Sequence, residues 1–173
     1  MAKKTSKSFP SSKVVGPGVV KVVLHDLRKT GSHENIRVVA GVELPLLEGE
    51  ESSVATATAA HLASQQLRLR FSQIFRTQFT KPAGIDKVVR PGTMVYAAVS
   101  RLVPTADYEN VRADMEVGFY VGEGETIWAA FERAFTDLSV QLKAVLALHN
   151  GENSEKGVIK NGDDKASTFT WNS

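Results

Sequence analysis

The sequence predicts an α+β domain: two tandem β-β-α repeats whose four strands form one antiparallel sheet, with two helices packed on one face. A pseudo-twofold axis is expected to relate the halves. Three observations lead there. The chain aligns with itself at an offset of 75 residues, two stretches alternate apolar with polar residues, and each is followed by apolar residues at helical spacing. From Val22 to Ser72 the self-alignment needs no gap, and 14 of 51 positions are identical. His33-Glu34-Asn35-Ile36-Arg37 falls on Tyr108-Glu109-Asn110-Val111-Arg112, and Glu48-Gly49-Glu50 on Glu123-Gly124-Glu125. Such self-similarity marks a duplicated supersecondary unit.

In chain order, residues 1–18 read as a flexible basic arm, because Lys3, Lys4, Lys7 and Lys13 occur there without an acid. The β-rich run 19–28 and the polar connection 29–33 open the first repeat (19–76) as a hairpin. Ile36, Val38, Ala40, Val42, Leu44 and Leu46 then alternate with other residues, the period of a strand with one buried face. A Gly-Glu turn follows, and Ser52 and Ser53 offer caps for an alanine-rich helix ending near Phe75. Residues 77–93 form a basic linker punctuated by Pro82, Gly84, Pro91 and Gly92.

The second repeat (94–149) restates the first. A run over 94–103 and a connection over 104–108 lead to Val111, Ala113, Met115, Val117, Phe119 and Val121, again alternating. Thr126 can cap a helix whose apolar stripe is Trp128, Phe131, Phe135, Leu138, Leu142 and Val145. Residues 150–173 read as a flexible tail tipped by Phe169-Thr170-Trp171, either a docking motif or a segment that packs back on the body. One hairpin with one helix is too small for a stable core, so the two repeats are expected to share one across 19–149.

Composition narrows the function classes. The 173 residues are 42% hydrophobic and 23% charged, ordinary globular values, with no cysteine for a disulfide, thiolate site or nucleophile. No apolar run approaches the ~20 residues of a membrane span and no signal-peptide pattern follows Met1, so a cytoplasmic protein (in the host cytoplasm if viral) is expected. The net charge of +2 is unevenly spread: 22–67 sum to −3 and 91–149 to −4, while 1–21 and 68–90 each sum to +5. Basic segments in a mildly acidic body point to a polyanionic partner.

No catalytic constellation stands out. The four histidines fall in no metal-ligand spacing, and Gly16-Pro17-Gly18 and Gly122-Glu123-Gly124 do not continue into phosphate loops. Glu123 and Glu125 fit a helix start. No enzyme activity, cofactor, metal or small-molecule substrate is expected.

Two places suit a nucleic acid. The sheet face away from the helices should carry Lys21, His25, Asn35, Arg37, Glu43, Tyr96, Ser100, Asn110, Arg112, Asp114, Glu116 and Tyr120, either a single-strand platform or an ordinary solvated face. In 68–90, Phe71, Phe75 and Phe79 recur every fourth residue among Arg68, Arg70, Arg76 and Lys81. This is the mixture that binds single strands without reading sequence, or else a helix end with core phenylalanines.

The run Tyr108-Glu109-Asn110-Val111-Arg112, alternating onward to Gly122-Glu123-Gly124-Glu125 and a helix, resembles small, uncharacterised bacteriophage and mobile-element proteins with one strand-strand-helix unit. The resemblance implies a setting in phage or plasmid DNA metabolism and supplies no catalytic residues. The leading expectation is a non-enzymatic, sequence-tolerant protein binding single-stranded DNA (or RNA) as a homo-oligomer. Arg68, Arg70, Arg76, Lys81, Lys87 and Arg90 would contact phosphates. Phe75, Phe79, Tyr96 and Tyr120 would stack bases, with Arg37 and Arg112 flanking the path. The rival is an interaction module that assembles through its sheet edges without nucleic acid.

Overall fold

Alternation assigns each strand residue to a face, and the chain obeys it. The computed structural model describes residues 15–32, 34–84, 90–106 and 109–156. Their elements are β1 (Val15–Lys29), β2 (Asn35–Leu47), α1 (Ser52–Phe75), β3 (Met94–Ala106), β4 (Glu109–Tyr120) and α2 (Ile127–Lys156). The first strand begins inside the segment expected to be arm, and α2 runs past residue 149 into the expected tail. Most of the arm (1–14), Lys87 and the Phe169–Trp171 tip lie outside the described residues.

All strand neighbours are antiparallel, in the order β1-β2-β3-β4. The two hairpins share one register at the 75-residue offset: Lys21 faces Glu43 as Tyr96 faces Gly118, and Val22 faces Val42 as Ala97 faces Val117. The strand order does not suit the expected twofold. An axis normal to the sheet would exchange β1 with β4 and β2 with β3, and would reverse strand direction. The self-alignment instead matches β1 with β3 and β2 with β4, and each pair runs in one direction. β1 and β3, like β2 and β4, lie two strands or roughly 10 Å apart across the sheet.

Both helices cover one face. Val38, Ala40 and Val42 of β2 and Val95, Ala97 and Val99 of β3 form the centre of the core. Against them α1 presses Ala59, Leu62, Ala63, Leu67 and Phe71, and α2 presses Ala130, Phe131, Ala134, Phe135 and Leu138. Alanines at matching places, Ala55 and Ala59 on α1 and Ala130 and Ala134 on α2, are all fully buried. A methyl there lets the helix backbone approach the sheet closely, so the buried stripe of the alanine-rich α1 is made of small side chains.

The Glu-Gly-Glu turns have a shared physical reason. Gly49 and Gly124 both take φ of +74°, where a side chain is strained. One residue on, Glu50 accepts a hydrogen bond from the Leu47 amide at 3.0 Å and Glu125 one from the Gly122 amide at 2.8 Å. Each turn thereby closes on itself before its helix. Thr126 caps α2 as expected, its hydroxyl accepting from the Ala129 amide at 3.1 Å. At α1 the N-cap position belongs to Glu51, which makes no side-chain cap, so neither Ser52 nor Ser53 fills that role. No helix among the described residues is long and apolar enough to cross a membrane.

Candidate nucleic-acid interface

The C-terminal turn of α1 builds one wall of a deep concavity. Phe71 and Phe75 are one helical turn apart, so their rings stack on one side of the helix with centroids 6.1 Å apart. Phe71 is buried, whereas Phe75 is 39% exposed. Across from them Arg28 reaches out of β1, its guanidinium 4.5 Å from the Phe71 ring centroid and 6.0 Å from that of Phe75. Asp26 holds the same guanidinium at 2.9 Å.

The chain then reverses. Arg76 adopts the left-handed conformation (φ 54°, ψ 40°) as C-cap, and the Thr77 amide donates back to the Ser72 carbonyl at 2.8 Å. Residues 77–82 fold over, enclosing with α1 and Arg28 a cleft of about 630 Å³ lined also by Arg68, Thr77, Gln78, Phe79, Thr80 and Pro82. The loop is pinned to α2: Phe79 stacks on Trp128 at 6.0 Å, and the Lys81 ammonium lies 4.7 Å from the same indole. Arg68 and Arg76 are both exposed beside this cleft. The cleft thus brings together Arg68, Phe75 and Phe79, with Arg76 and Lys81 on the adjoining chain.

Other expected site residues are engaged elsewhere. Arg70 is 2% exposed, donates to Glu132 at 2.7 Å and to Gln73 at 3.0 Å, and lies 4.4 Å from the Phe135 ring. Burial pulls its pKa down and the Glu132 charge pulls it back up. It joins the two helices and does not face solvent. Arg90 is nearly enclosed, with a guanidinium that donates to Glu50 at 2.8 Å and to the Pro45 carbonyl at 2.9 Å. It ties the linker to the first turn. Neither arginine presents a surface to phosphate.

The open face divides differently. Cross-strand register lines it in rows: Lys21, Glu43, Met94, Tyr120; then Val23, Gly41, Tyr96, Gly118; then His25, Val39, Ala98, Glu116; then Leu27, Arg37, Ser100, Asp114. A shallow dish of about 460 Å³ lies here, with Lys21, Arg37, Tyr96 and Asp114 among its walls. The Tyr96 ring is crowded: the Lys21 ammonium sits over it, 3.7 Å from its centroid, and a Cβ added at Gly118 would meet two of its ring carbons at 3.3 Å. A base on that face would have to displace Lys21. The Arg37 Nε is buried without a hydrogen-bond partner among the described residues. Arg112 is bound to Asp114 at 2.8 Å, and hydrogen bonds from Ser100 and then Arg112 hold the Asp114 carboxyl below its ordinary range. Tyr120, 67% exposed, is free to stack but lies on the face opposite the cleft. Carboxylates answer the cations across this face, so it forms no continuous positive platform.

Tyr96 supplies a pH prediction. Burial first, and then its hydrogen bond to Glu43 at 2.8 Å, push the phenol up to about 12. The protonated form is favoured in the fold, so stability should be level below about pH 10 and fall as pH rises from there toward 12. Spectrophotometric titration should show a tyrosinate phase near pH 12 that Tyr96→Phe removes. Ionisation of every tyrosine near pH ~10 would contradict this packing.

Arg28 and Trp128 were not anticipated as site residues. The phase of β1 could have placed Arg28, since Val20, Val22, Leu24, Asp26 and Arg28 share the helix-covered side. No sequence signal pairs Phe79 with Trp128. Comparison with protein-family models, curated proteins and solved structures finds no match to this chain.

Proposed function

We propose that the chain is a duplicated β-β-α protein that binds single-stranded DNA without sequence preference and without catalysis, through the cleft at the end of α1. The observation that carries this reading is the cleft itself. Arg28 and Arg68 stand beside the partly exposed Phe75 ring, with Phe79 and the hydroxyls of Thr77 and Thr80 along the wall. Cations suit phosphates, and an open phenyl accepts any base, which is how sequence-tolerant single-strand sites work. The duplication is supported by the shared hairpin register and the matched Glu-Gly-Glu turns. The resemblance to phage and mobile-element proteins gives the proposal its setting, the handling of single strands in their DNA metabolism.

Anisotropy titration of a labelled oligothymidine tests it. Four cations, Arg28, Arg68, Arg76 and Lys81, border the path. At about −0.7 in log–log slope per phosphate, affinity should fall about 50-fold between roughly 50 and 200 mM salt. Phe75→Ala should weaken binding about tenfold, the worth of one stacked base. Lys143→Ala, which removes an exposed charge from α2, should leave it unchanged. No binding at low salt, or equal losses in both variants, would refute the cleft as the site.

A further inference from the structure

Among the described residues the sheet ends in two edges, β1 and β4, each with a single strand neighbour. Edges are ordinarily blunted or covered, because their backbone groups can pair with another chain. Here β1 carries an apolar row on its open face: Val19, Val23 and Leu27 are 61%, 46% and 59% exposed. On the helix side Val20, Val22 and Leu24, and on β4 Met115 and Val117, are only partly buried, although they pack against the core.

The molecule already contains a pattern for covering them. Its two halves meet where β2 pairs with β3, Val42 facing Val95, Ala40 facing Ala97 and Val38 facing Val99. At the 75-residue offset β4 stands where β2 stands, and β1 where β3 stands. We infer that copies of this chain join head to tail, β4 of one pairing antiparallel with β1 of the next in the register of the internal β2–β3 seam. This assembly does not depend on the nucleic-acid reading.

Carrying that register over pairs apolar residues on the helix side of the new seam. Val117 falls opposite Val20, Met115 opposite Val22 and Ala113 opposite Leu24, an apolar seam like the internal one. On the open face Glu116 falls opposite Lys21, where the internal seam has Gly41 opposite Tyr96. Lys21 and Lys29 lie on this face of β1, and β4 offers Glu116, with Asp114 paired to Arg112 beside it. Between helices the internal seam carries Arg70 against Glu132. At the offset these become Val145 and Ala57, both exposed and both apolar. The partly buried Val20, Val22 and Leu24 of β1 and the exposed Val145 of α2 thereby share one explanation. Such a contact uses different surfaces on the two partners, so it repeats until a ring closes or a filament extends.

The chain has no cysteine, which makes engineered cross-linking unambiguous. Val23 and Asp114 are placed directly opposite, and antiparallel partners ~4.5–5.5 Å apart are within disulfide reach. Val23→Cys and Asp114→Cys, prepared separately and checked for folding by circular dichroism, are mixed and oxidised. A covalent dimer is expected in the mixture and in neither variant alone, and the double variant should give a ladder. Lys21→Cys with Glu116→Cys should behave the same way. Light scattering of the parent chain should show a mass above one chain that rises with concentration. Disulfide dimers of Val23→Cys alone would show a twofold β1–β1 contact instead. That result, or a parent of one-chain mass with no cross-link in either mixture, would overturn the proposal.

Discussion

Phe131→Ala should lower stability by about 3–5 kcal/mol, measured as a shift in the urea midpoint at unchanged slope. Phe131 is fully buried and its ring stacks on that of Phe135, centroids 6.3 Å apart, at the centre of the face that α2 turns to the sheet. Removing the ring forfeits its burial and leaves a cavity that the surroundings are poorly placed to fill. The flanking Ala130 and Ala134 are already methyls against the sheet and have nothing further to extend. Domains of this size have only about 5–15 kcal/mol in total, so the variant should sit near the edge of folding. Phe131→Leu keeps most of the volume and should cost under about 1.5 kcal/mol. Equal, small losses in both variants would mean that the site collapses freely and the core is looser than its packing implies.

Glu132→Ala should cost about 2–3 kcal/mol, more than an exposed glutamate normally warrants. The reason lies in Arg70, whose side chain is 3% exposed while that of Glu132 is 42% exposed. Losing the carboxylate leaves a guanidinium in low dielectric without its nearest counter-charge. The exposure of Glu132 keeps the figure below the full penalty for breaking a buried pair. Arg70→Met removes the buried charge and retains an apolar side chain beside Phe135. The double variant Arg70→Met/Glu132→Ala should therefore be more stable than Glu132→Ala alone, a non-additivity that denaturation curves of all four proteins would measure. Additive losses would place the pair's importance in packing and not in charge.

Much of the fold was legible along the chain. The alternation through Ile36–Leu46 and Val111–Val121 assigned core and open faces, and the Glu-Gly-Glu motifs marked both strand-to-helix turns. Thr126 named its own cap. The α1 start is not legible there, because the choice among Glu51, Ser52 and Ser53 turns on one backbone conformation that composition does not distinguish. At the candidate site, the spacing of Phe71, Phe75 and Phe79 located the cleft, but its opposite wall, Arg28, comes from a strand more than forty residues earlier.

The sequence by itself determined which residues alternate and where turns fall, because these depend on neighbours a few bonds away. Only the tertiary structure decided which of the basic and aromatic residues remain available. Arg70 is claimed by Glu132, Arg90 by Glu50 and Tyr96 by Glu43, partners 62, 40 and 53 residues distant. It decided also the strand order β1-β2-β3-β4, since that depends on which edges meet, and so left β1 and β4 at the two ends of the sheet. Burial and pairing are set by long-range register, and no local pattern carries that information.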